Sequence, residues 1–311
     1  MSILAEKYPD DKERSRAIGT AISGIGVGLL VGYPFGGLLY GMFGKDIPFA
    51  ILASLVLIKI GLQTALLEDT FGNIKHAKQS SITSLLLDPY IYICAGARMF
   101  TSMSLAVLES TVPIWIMDTM HADHRQLGLV FLPNCISYLV GTYCFPVIAK
   151  TYGRWVFTFG SMCLIALGHI RLPFCSSIYH LIVPHVCIGL GVGITDAAIM
   201  PLIALLVAQR HVAAYGSVYA IVQFAVSLAY GIGPSIAGQI VESAGFEWSM
   251  WGMAFINLAF APLIFMLRNP NIQEDHKPIL PDTDSDTKSD GGLENTQEFL
   301  SGSYSTFKQS N

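Results

Sequence analysis

Charge is what this sequence has least of. Only 13% of its 311 residues are Asp, Glu, Lys or Arg, whereas 52% are hydrophobic. Soluble domains carry about 25% charged residues, so this shortage excludes an ordinary water-soluble domain. The formal net charge is -4, and acidic residues near the carboxyl terminus set its sign. The charge balance therefore does not suggest nucleic acid as a partner.

The sequence also lacks the motifs of common catalytic and metal sites. Its six cysteines show no C-x-x-C motif and no metal-ligand spacing. It contains no nucleophile elbow, no P-loop and no H-E-x-x-H motif. We therefore expect no enzyme activity, no metal site and no bound cofactor.

What the sequence has in abundance is long apolar runs. A transmembrane helix needs about 20 mainly apolar residues, and eight stretches qualify. They predict an all-α polytopic membrane protein. The predicted spans are residues 17–42, 47–67, 88–118, 126–149, 154–174, 179–208, 213–241 and 246–267.

Basic residues are distributed unevenly between the two ends of these spans. Short cytosolic loops carry an excess of Lys and Arg, so the more basic side is predicted to be cytosolic. An even number of spans then places both termini there. The more basic side receives Lys7, Lys12, Arg14, Arg16, Lys75, Lys78, Lys150, Arg154, Arg210 and Arg268, and the other side receives Lys45, Arg125 and Arg171.

Two spans that lie six apart share a glycine-proline pattern, which suggests an internal repeat. Many transporters consist of two six-helix halves related by an axis along the membrane normal. The patterned span is the fifth of six in the second half, which predicts that the chain holds spans 5 to 12 of an expected 12. The alternatives are a genuine eight-span protein and ordinary close packing at small residues. The first pattern comprises Gly28, Gly32, Pro34, Gly36 and Gly37, and the second comprises Gly231, Gly233, Pro234 and Gly238.

This repeat divides the chain into four predicted regions. Residues 1–67 are the last two spans of the amino-terminal half, and residues 68–87 are the central cytosolic loop. Residues 88–267 form the carboxy-terminal six-helix half. Residues 268–311 are polar and proline-containing, which predicts a disordered cytosolic tail.

The tail contains one short pattern typical of a sorting signal. Asp275 precedes the pair Ile279 and Leu280, as in acidic dileucine signals that sorting adaptors recognise. The alternative is a chance apolar pair in a linker.

Four ionisable residues lie within the predicted spans. Such residues cost about 2.5–3.5 kcal/mol each at the helix centre, so they are functional candidates by default. Glu109 and Asp196 are candidates to exchange a proton or to bind a cationic substrate. The alternative for each carboxyl group is a structural ion pair with Arg98 or Lys59.

Several stretches resemble a known family. They are RHVAAYGSVYAI from residue 210, QLGLVFLP from 126, PIWIM from 113 and GYPFGG from 32. Together they resemble the vesicular amine transporters of the major facilitator superfamily, which include monoamine and acetylcholine transporters. The resemblance covers about residues 1–270 and implies the twelve-span major facilitator fold.

The resemblance also implies which residues form the site. Glu109 and Asp196 fall on family carboxyl groups that handle amine and protons. Tyr138 and Tyr230 fall on aromatic positions of the substrate pocket, and Phe131 is a weaker match. The alternative for these aromatic residues is ordinary helix packing.

The chain departs from the family at several positions. The family has acidic residues where this chain has Gln223 and Ala208. Monoamine-type members carry an acid where Lys59 stands, and Ser102 replaces a pocket asparagine. Because glutamine cannot titrate, one proton site is absent or has been replaced by another.

The function implied by the resemblance is proton-coupled antiport. The expected role is to load a cationic amine neurotransmitter, most directly a monoamine, into secretory or synaptic vesicles, driven by the proton gradient. One alternative is a transporter of the same fold for acetylcholine or another organic cation. The other is a truncated membrane protein that does not transport.

Overall fold

The computed structural model describes residues 1–8, 10–71, 85, 87–210 and 215–268, which form ten α-helices and three 3₁₀ helices without any strand. The predicted all-α class is confirmed. The α-helices are α1 Ser2–Lys7, α2 Asp11–Phe43, α3 Asp46–Phe71, α4 Pro89–Met120, α5 His124–Val130, α6 Leu132–Tyr152, α7 Arg154–Arg171, α8 Ile182–Arg210, α9 Tyr215–Ala244 and α10 Phe246–Phe260. The 3₁₀ helices are Leu172–Phe174, Ile178–Leu181 and Ala261–Arg268.

Eight helical segments in the described ranges are long and apolar enough to cross a membrane, as predicted. Residues 126–149 were predicted as one span, but the structure divides them into α5 and α6 at Phe131. Pro133 follows directly, and its missing N–H prevents a continuous hydrogen-bond ladder. Residues 211–214, at the predicted start of the seventh span, lie outside the described residues.

Short polar residues fix the starts of two helices at the basic end of the bundle. Asp10 accepts hydrogen bonds from the backbone N–H groups of Lys12 and Glu13 at 2.9 and 3.0 Å, and the bond from Glu13 lowers the pKa of Asp10. Asp88 accepts from the N–H of Tyr90 at 3.0 Å. Both are N-caps, which satisfy N–H groups that have no partner within the helix.

Helix α8 lies at the centre of the helical packing, against α2, α4, α6 and α7. A glycine at every second position makes this possible. A Cβ built on Gly189 or Gly193 would meet the backbone of α6, and one built on Gly191 would meet α7. These glycines make α8 thin on two sides, one towards α6 and the other towards α7.

Helix α3 lies at the edge of this packing, because none of residues 46–65 is buried by the described part of the chain. The 72–84 portion of the predicted central loop, the 269–311 portion of the tail and the sorting pattern of Asp275, Ile279 and Leu280 lie outside the described residues. The division into two halves and the tail assignment remain predictions.

Candidate functional site

Asp196 occupies the middle of α8 and is almost completely buried, with 1% of its side chain exposed. Its Oδ1 atom lies 2.8 Å from Nη1 of Arg98 on α4, in an ion pair that is not aligned as a hydrogen bond. Tyr138 on α6 donates its hydroxyl hydrogen to Oδ2 at 2.9 Å. Arg98 also donates to Oγ of Ser102 at 2.9 Å. Groups on two helices, Arg98 on α4 and Tyr138 on α6, therefore stabilise the negative charge of Asp196.

The close approach of α6 to α8 explains how Tyr138 reaches Asp196. A Cβ on Gly193 would lie 2.6 Å from the carbonyl oxygen of Tyr138, and one on Gly141 would lie 2.9 Å from Cα of Gly193. Only glycine permits this backbone contact. This contact brings the hydroxyl group of Tyr138 to hydrogen-bonding distance of the carboxyl group of Asp196, which lies three residues after Gly193 on α8.

Glu109 lies in a second polar centre, between α4 and α2. The hydroxyl group of Tyr33 donates a hydrogen bond to Oε1 of Glu109. The two residues line a cavity of about 330 Å³. The remaining lining residues are Gly36, Gly37, Tyr40, Pro113, Leu127, Gly128 and Phe131.

Aromatic rings form one wall of this cavity. Phe131 stacks on Tyr33 with ring centroids 5.2 Å apart and an interplanar angle of 22°. On its other side, Phe131 meets the ring of His185 edge-on at 5.4 Å. Phe131 is only 4% exposed, so its ring is fixed by neighbours on α2 and α8.

Tyr230 on α9 lies near both polar centres. It lies within electrostatic range of Glu109, Arg98 and Asp196, and 42% of its surface is exposed. Helix α9 packs closely on α4 at Gly233, where a Cβ would lie 2.9 Å from Met103. Both carboxyl groups thus belong to one region of the bundle.

Other predicted residues are exposed or have no close neighbour in the described part of the chain. Gln223 and Lys59 are exposed on α9 and α3. Within the described ranges, nothing lies within 4 Å of a Cβ built on Gly28, Gly32 or Gly36, so a packing role for these glycines stays a prediction. Helix α2 instead contacts α6 at Gly26, where a Cβ would meet Leu139 and Tyr138, and at Gly19, where a Cβ would meet Pro146.

The basic end of the bundle holds a separate ion cluster. Asp11 on α2 accepts from Arg154 Nη2 and from Arg14 Nη2, both at 2.9 Å, and lies 3.3 Å from Lys150 Nζ. Arg154 also donates to Oγ of Ser15 at 2.9 Å. This cluster ties the start of α2 to α6 and α7.

The sequence analysis did not single out Tyr33, although it is the hydrogen-bond partner of Glu109. Its only signal was its place within the GYPFGG stretch. An ion pair with Arg98 or Lys59 was the alternative expected for each carboxyl group, and the structure pairs Asp196 with Arg98, whereas Lys59 is exposed on α3.

Apolar helices with carboxyl groups buried among them or lining a cavity define a polytopic α-helical membrane protein in the described part of the chain. Residues 1–219 match the Major Facilitator Superfamily, and the chain belongs to that superfamily. The chain is 43% identical to the synaptic vesicular amine transporter of Rattus norvegicus over 282 residues, which are 91% of this chain and 55% of that protein.

Two other relatives extend this similarity. The chromaffin granule amine transporter of Homo sapiens is 42% identical over 300 residues, which are 96% of this chain and 57% of that protein. The vesicular acetylcholine transporter of Mus musculus is 38% identical over 276 residues, which are 86% of this chain and 52% of that protein. The resemblance to vesicular amine transporters is confirmed, and the chain spans about half the length of these curated relatives.

Proposed function

We propose that this chain serves in loading a cationic amine, most directly a monoamine, into acidic vesicles in exchange for protons. One observation carries the proposal: Glu109 faces a cavity of about 330 Å³ whose wall includes Tyr33, Tyr40 and Phe131. A carboxylate beside aromatic faces is suited to an organic ammonium group. The names of the relatives, which include a synaptic vesicular amine transporter, agree with this choice.

The cavity offers two kinds of attraction to an ammonium group. The carboxylate of Glu109 supplies an opposite charge at low hydration, where electrostatic attraction is stronger than in water. The aromatic faces add cation–π attraction of about 0.5–2 kcal/mol. Cavities of about 300–1,000 Å³ are typical of small-molecule sites, so a single-ring amine fits this volume.

Proton exchange follows from the same carboxyl group. On the acidic side of the membrane, a proton from water forms an O–H bond with Glu109, and the ammonium group loses its counter-charge and leaves. On the other side, Glu109 returns that proton to water and binds the next amine. Asp196 is the second exchange site, because its protonation would remove the charge that Arg98 balances at 2.8 Å.

The proposed orientation follows from the basic end. The ion cluster of Asp11 and the Asp88–Arg210 ion pair at 2.8 Å lie at one end of the bundle, which we assign to the cytosol. Both termini are then cytosolic, and the membrane is that of secretory or synaptic vesicles. Asp275, Ile279 and Leu280 would be available there to sorting adaptors.

Equilibrium binding tests the amine site directly. The full chain is purified and titrated with radiolabelled dopamine at neutral pH. We expect Glu109→Gln to weaken binding at least about tenfold, or 1.4 kcal/mol, because the counter-charge is lost. Asp118→Asn is the matched control, since Asp118 is exposed on the same helix. Equal binding by the native chain and Glu109→Gln would refute the assignment.

A second candidate is a transporter for acetylcholine or another organic cation. The 38% identity to a vesicular acetylcholine transporter and the departures at Gln223 and Lys59 favour it. Competition of bound dopamine by acetylcholine separates the two candidates. Uptake into proteoliposomes with an acidic interior then distinguishes a transporter from a chain that only binds amine.

A further inference from the structure

A second cavity, of about 440 Å³, lies on the other side of α5 from the Glu109 cavity. We refer to it as the lateral groove. Helix α5 is the partition between the two, because Leu127 and Gly128 line the Glu109 cavity while Leu129 and Val130 line the lateral groove. The start of α6, the 3₁₀ helix Ile178–Leu181 and the start of α8 complete the groove.

The walls of the lateral groove are mostly apolar, and its polar lining residues are Gln126 and Tyr179. Leu129, Val130, Ile136, Ile178 and Ile182 supply hydrocarbon, and none of the lining residues in the described part of the chain is Asp, Glu, Lys, Arg or His. Burying a charged or polar ligand without partners is unfavourable. The groove is therefore suited to a hydrocarbon ligand rather than to the amine substrate.

The groove is open at an exposed apolar face. Leu129 and Ile136 are 53% and 52% exposed, although both are strongly apolar. Val140 and Tyr143 continue the exposed face of α6 beyond Ile136. In a membrane-spanning chain, the medium that meets such a face is lipid hydrocarbon. Tyr179, which is 80% exposed at the edge of the groove, is of the residue type that concentrates at the headgroup level.

The lateral groove and the Glu109 cavity are lined by consecutive residues of the same segment. Val130 and Leu132 line the lateral groove, whereas Phe131 between them lines the Glu109 cavity. Phe131 is the residue that stacks on Tyr33 at 5.2 Å. Whatever fills the groove therefore packs directly behind the backbone that positions Phe131.

We propose that the lateral groove binds an acyl chain of a membrane phospholipid, which supports Phe131 from behind. A flexible acyl chain follows the irregular wall and supplies the dispersion contacts that an unfilled wall would lose. Tyr179 marks the end of the groove at which the headgroup lies. The effect on amine binding rests on the proposed function, whereas the binding of the acyl chain does not.

Photolabelling tests the binding step. The full chain is reconstituted in nanodiscs of a phosphatidylcholine that carries a diazirine in its acyl chain, and labelled peptides are mapped by mass spectrometry. We expect residues 126–136 and 178–182 to be labelled above other lipid-facing segments. Ile136→Trp fills the groove and should lower this labelling about fivefold, equivalent to about 1 kcal/mol of binding. Val140→Trp is the control, because Val140 is 47% exposed one turn further along α6.

Each outcome decides the proposal. Labelling spread evenly over exposed helix faces, or equal labelling in Ile136→Trp and Val140→Trp, would mean ordinary annular lipid and would overturn it. If Ile136→Trp does not give a monodisperse protein, Ile182→Trp fills the groove from the opposite wall and is judged by the same criterion.

A second arm measures dopamine binding in phospholipid nanodiscs and in lipid-free short-chain detergent. Support of Phe131 predicts tighter binding with phospholipid in the native chain and no such difference in Phe131→Ala. Groove labelling without a lipid effect on dopamine binding would remove the link to Phe131. Absence of any dopamine binding would count against the proposed function and leave the labelling result valid.

Discussion

The ion pair between Arg98 and Asp196 can be tested by neutralising each partner separately and both together. The variants are Arg98→Gln, Asp196→Asn and the double variant. Asp196 is 1% exposed and Arg98 is 14% exposed, so either single change leaves a poorly hydrated charge without its partner. The double variant leaves two neutral side chains that can hydrogen-bond to each other.

The expected magnitudes follow from this burial. Removing one partner of a buried pair destabilises by about 3–5 kcal/mol. We expect the lower end for Asp196→Asn, since Arg98 keeps its bond to Ser102, and for Arg98→Gln, since Tyr138 still donates to Asp196. The two changes should not add, and a coupling energy of about 3 kcal/mol, the upper end for groups in direct contact, is expected.

Thermal unfolding of the purified chain measures these differences. One kcal/mol corresponds to about 2–4 °C in Tm, so each single variant should melt about 6–12 °C below the native chain. The double variant should melt no lower than the less stable single variant. Asp118→Asn, an exposed change on the same helix as Arg98, should stay within about 0.5 kcal/mol. Strictly additive losses would show that the two side chains do not form a pair.

Three other residues give independent tests. Tyr33→Phe removes the hydrogen bond to the cavity carboxyl group, and a bond to a charged group contributes about 1.5–3 kcal/mol to stability, so the Tm should fall by about 3–12 °C; an unchanged Tm would contradict the geometry. Gly193→Ala forces a methyl group against α6 and should lower the Tm. Gly160→Ala is the control, because the described residues leave open space there, and it should raise stability by about 0.5–1 kcal/mol. Equal Tm shifts in the two variants would be inconsistent with the packing. The N–H group of Glu13 lowers the pKa of Asp10. The cap therefore stabilises α2 fully at pH values above the ordinary pKa of Asp, and this stabilisation is lost as the pH falls through the lowered pKa. Amide protection in the first turn, corrected for intrinsic exchange, should therefore fall on acidification in the native chain and stay constant in Asp10→Asn.

The spans were predictable because the bilayer imposes a minimum length on every apolar run. The break at Phe131 was harder to predict, although Pro133 was visible, because a proline near a helix start and a proline inside a helix look alike in sequence. The Arg98–Asp196 pair was foreshadowed by charge alone, since a buried charge needs an opposite partner.

The partner of Glu109 could not be read in the same way. Tyr33 lies 76 positions away along the chain, and its contact with Glu109 depends on how α2 is rotated about its axis. A membrane helix that is apolar on every side carries little periodicity to show that rotation. For the same reason the sequence emphasised Gly28 and Gly32, whereas the observed close contacts of α2 with α6 are at Gly19 and Gly26.

Helices α4 and α8 are joined by two ion pairs of opposite polarity. At the basic end α4 supplies the acid, Asp88, and α8 supplies the base, Arg210. In the middle of the bundle α4 supplies the base, Arg98, and α8 supplies the acid, Asp196. A slip of one helical turn, about 5.4 Å, would separate both pairs at once. The alternation thus encodes the register of the two helices, and any rearrangement that opens the Glu109 cavity is expected to carry α4 and α8 together while α2 and α5 move against them.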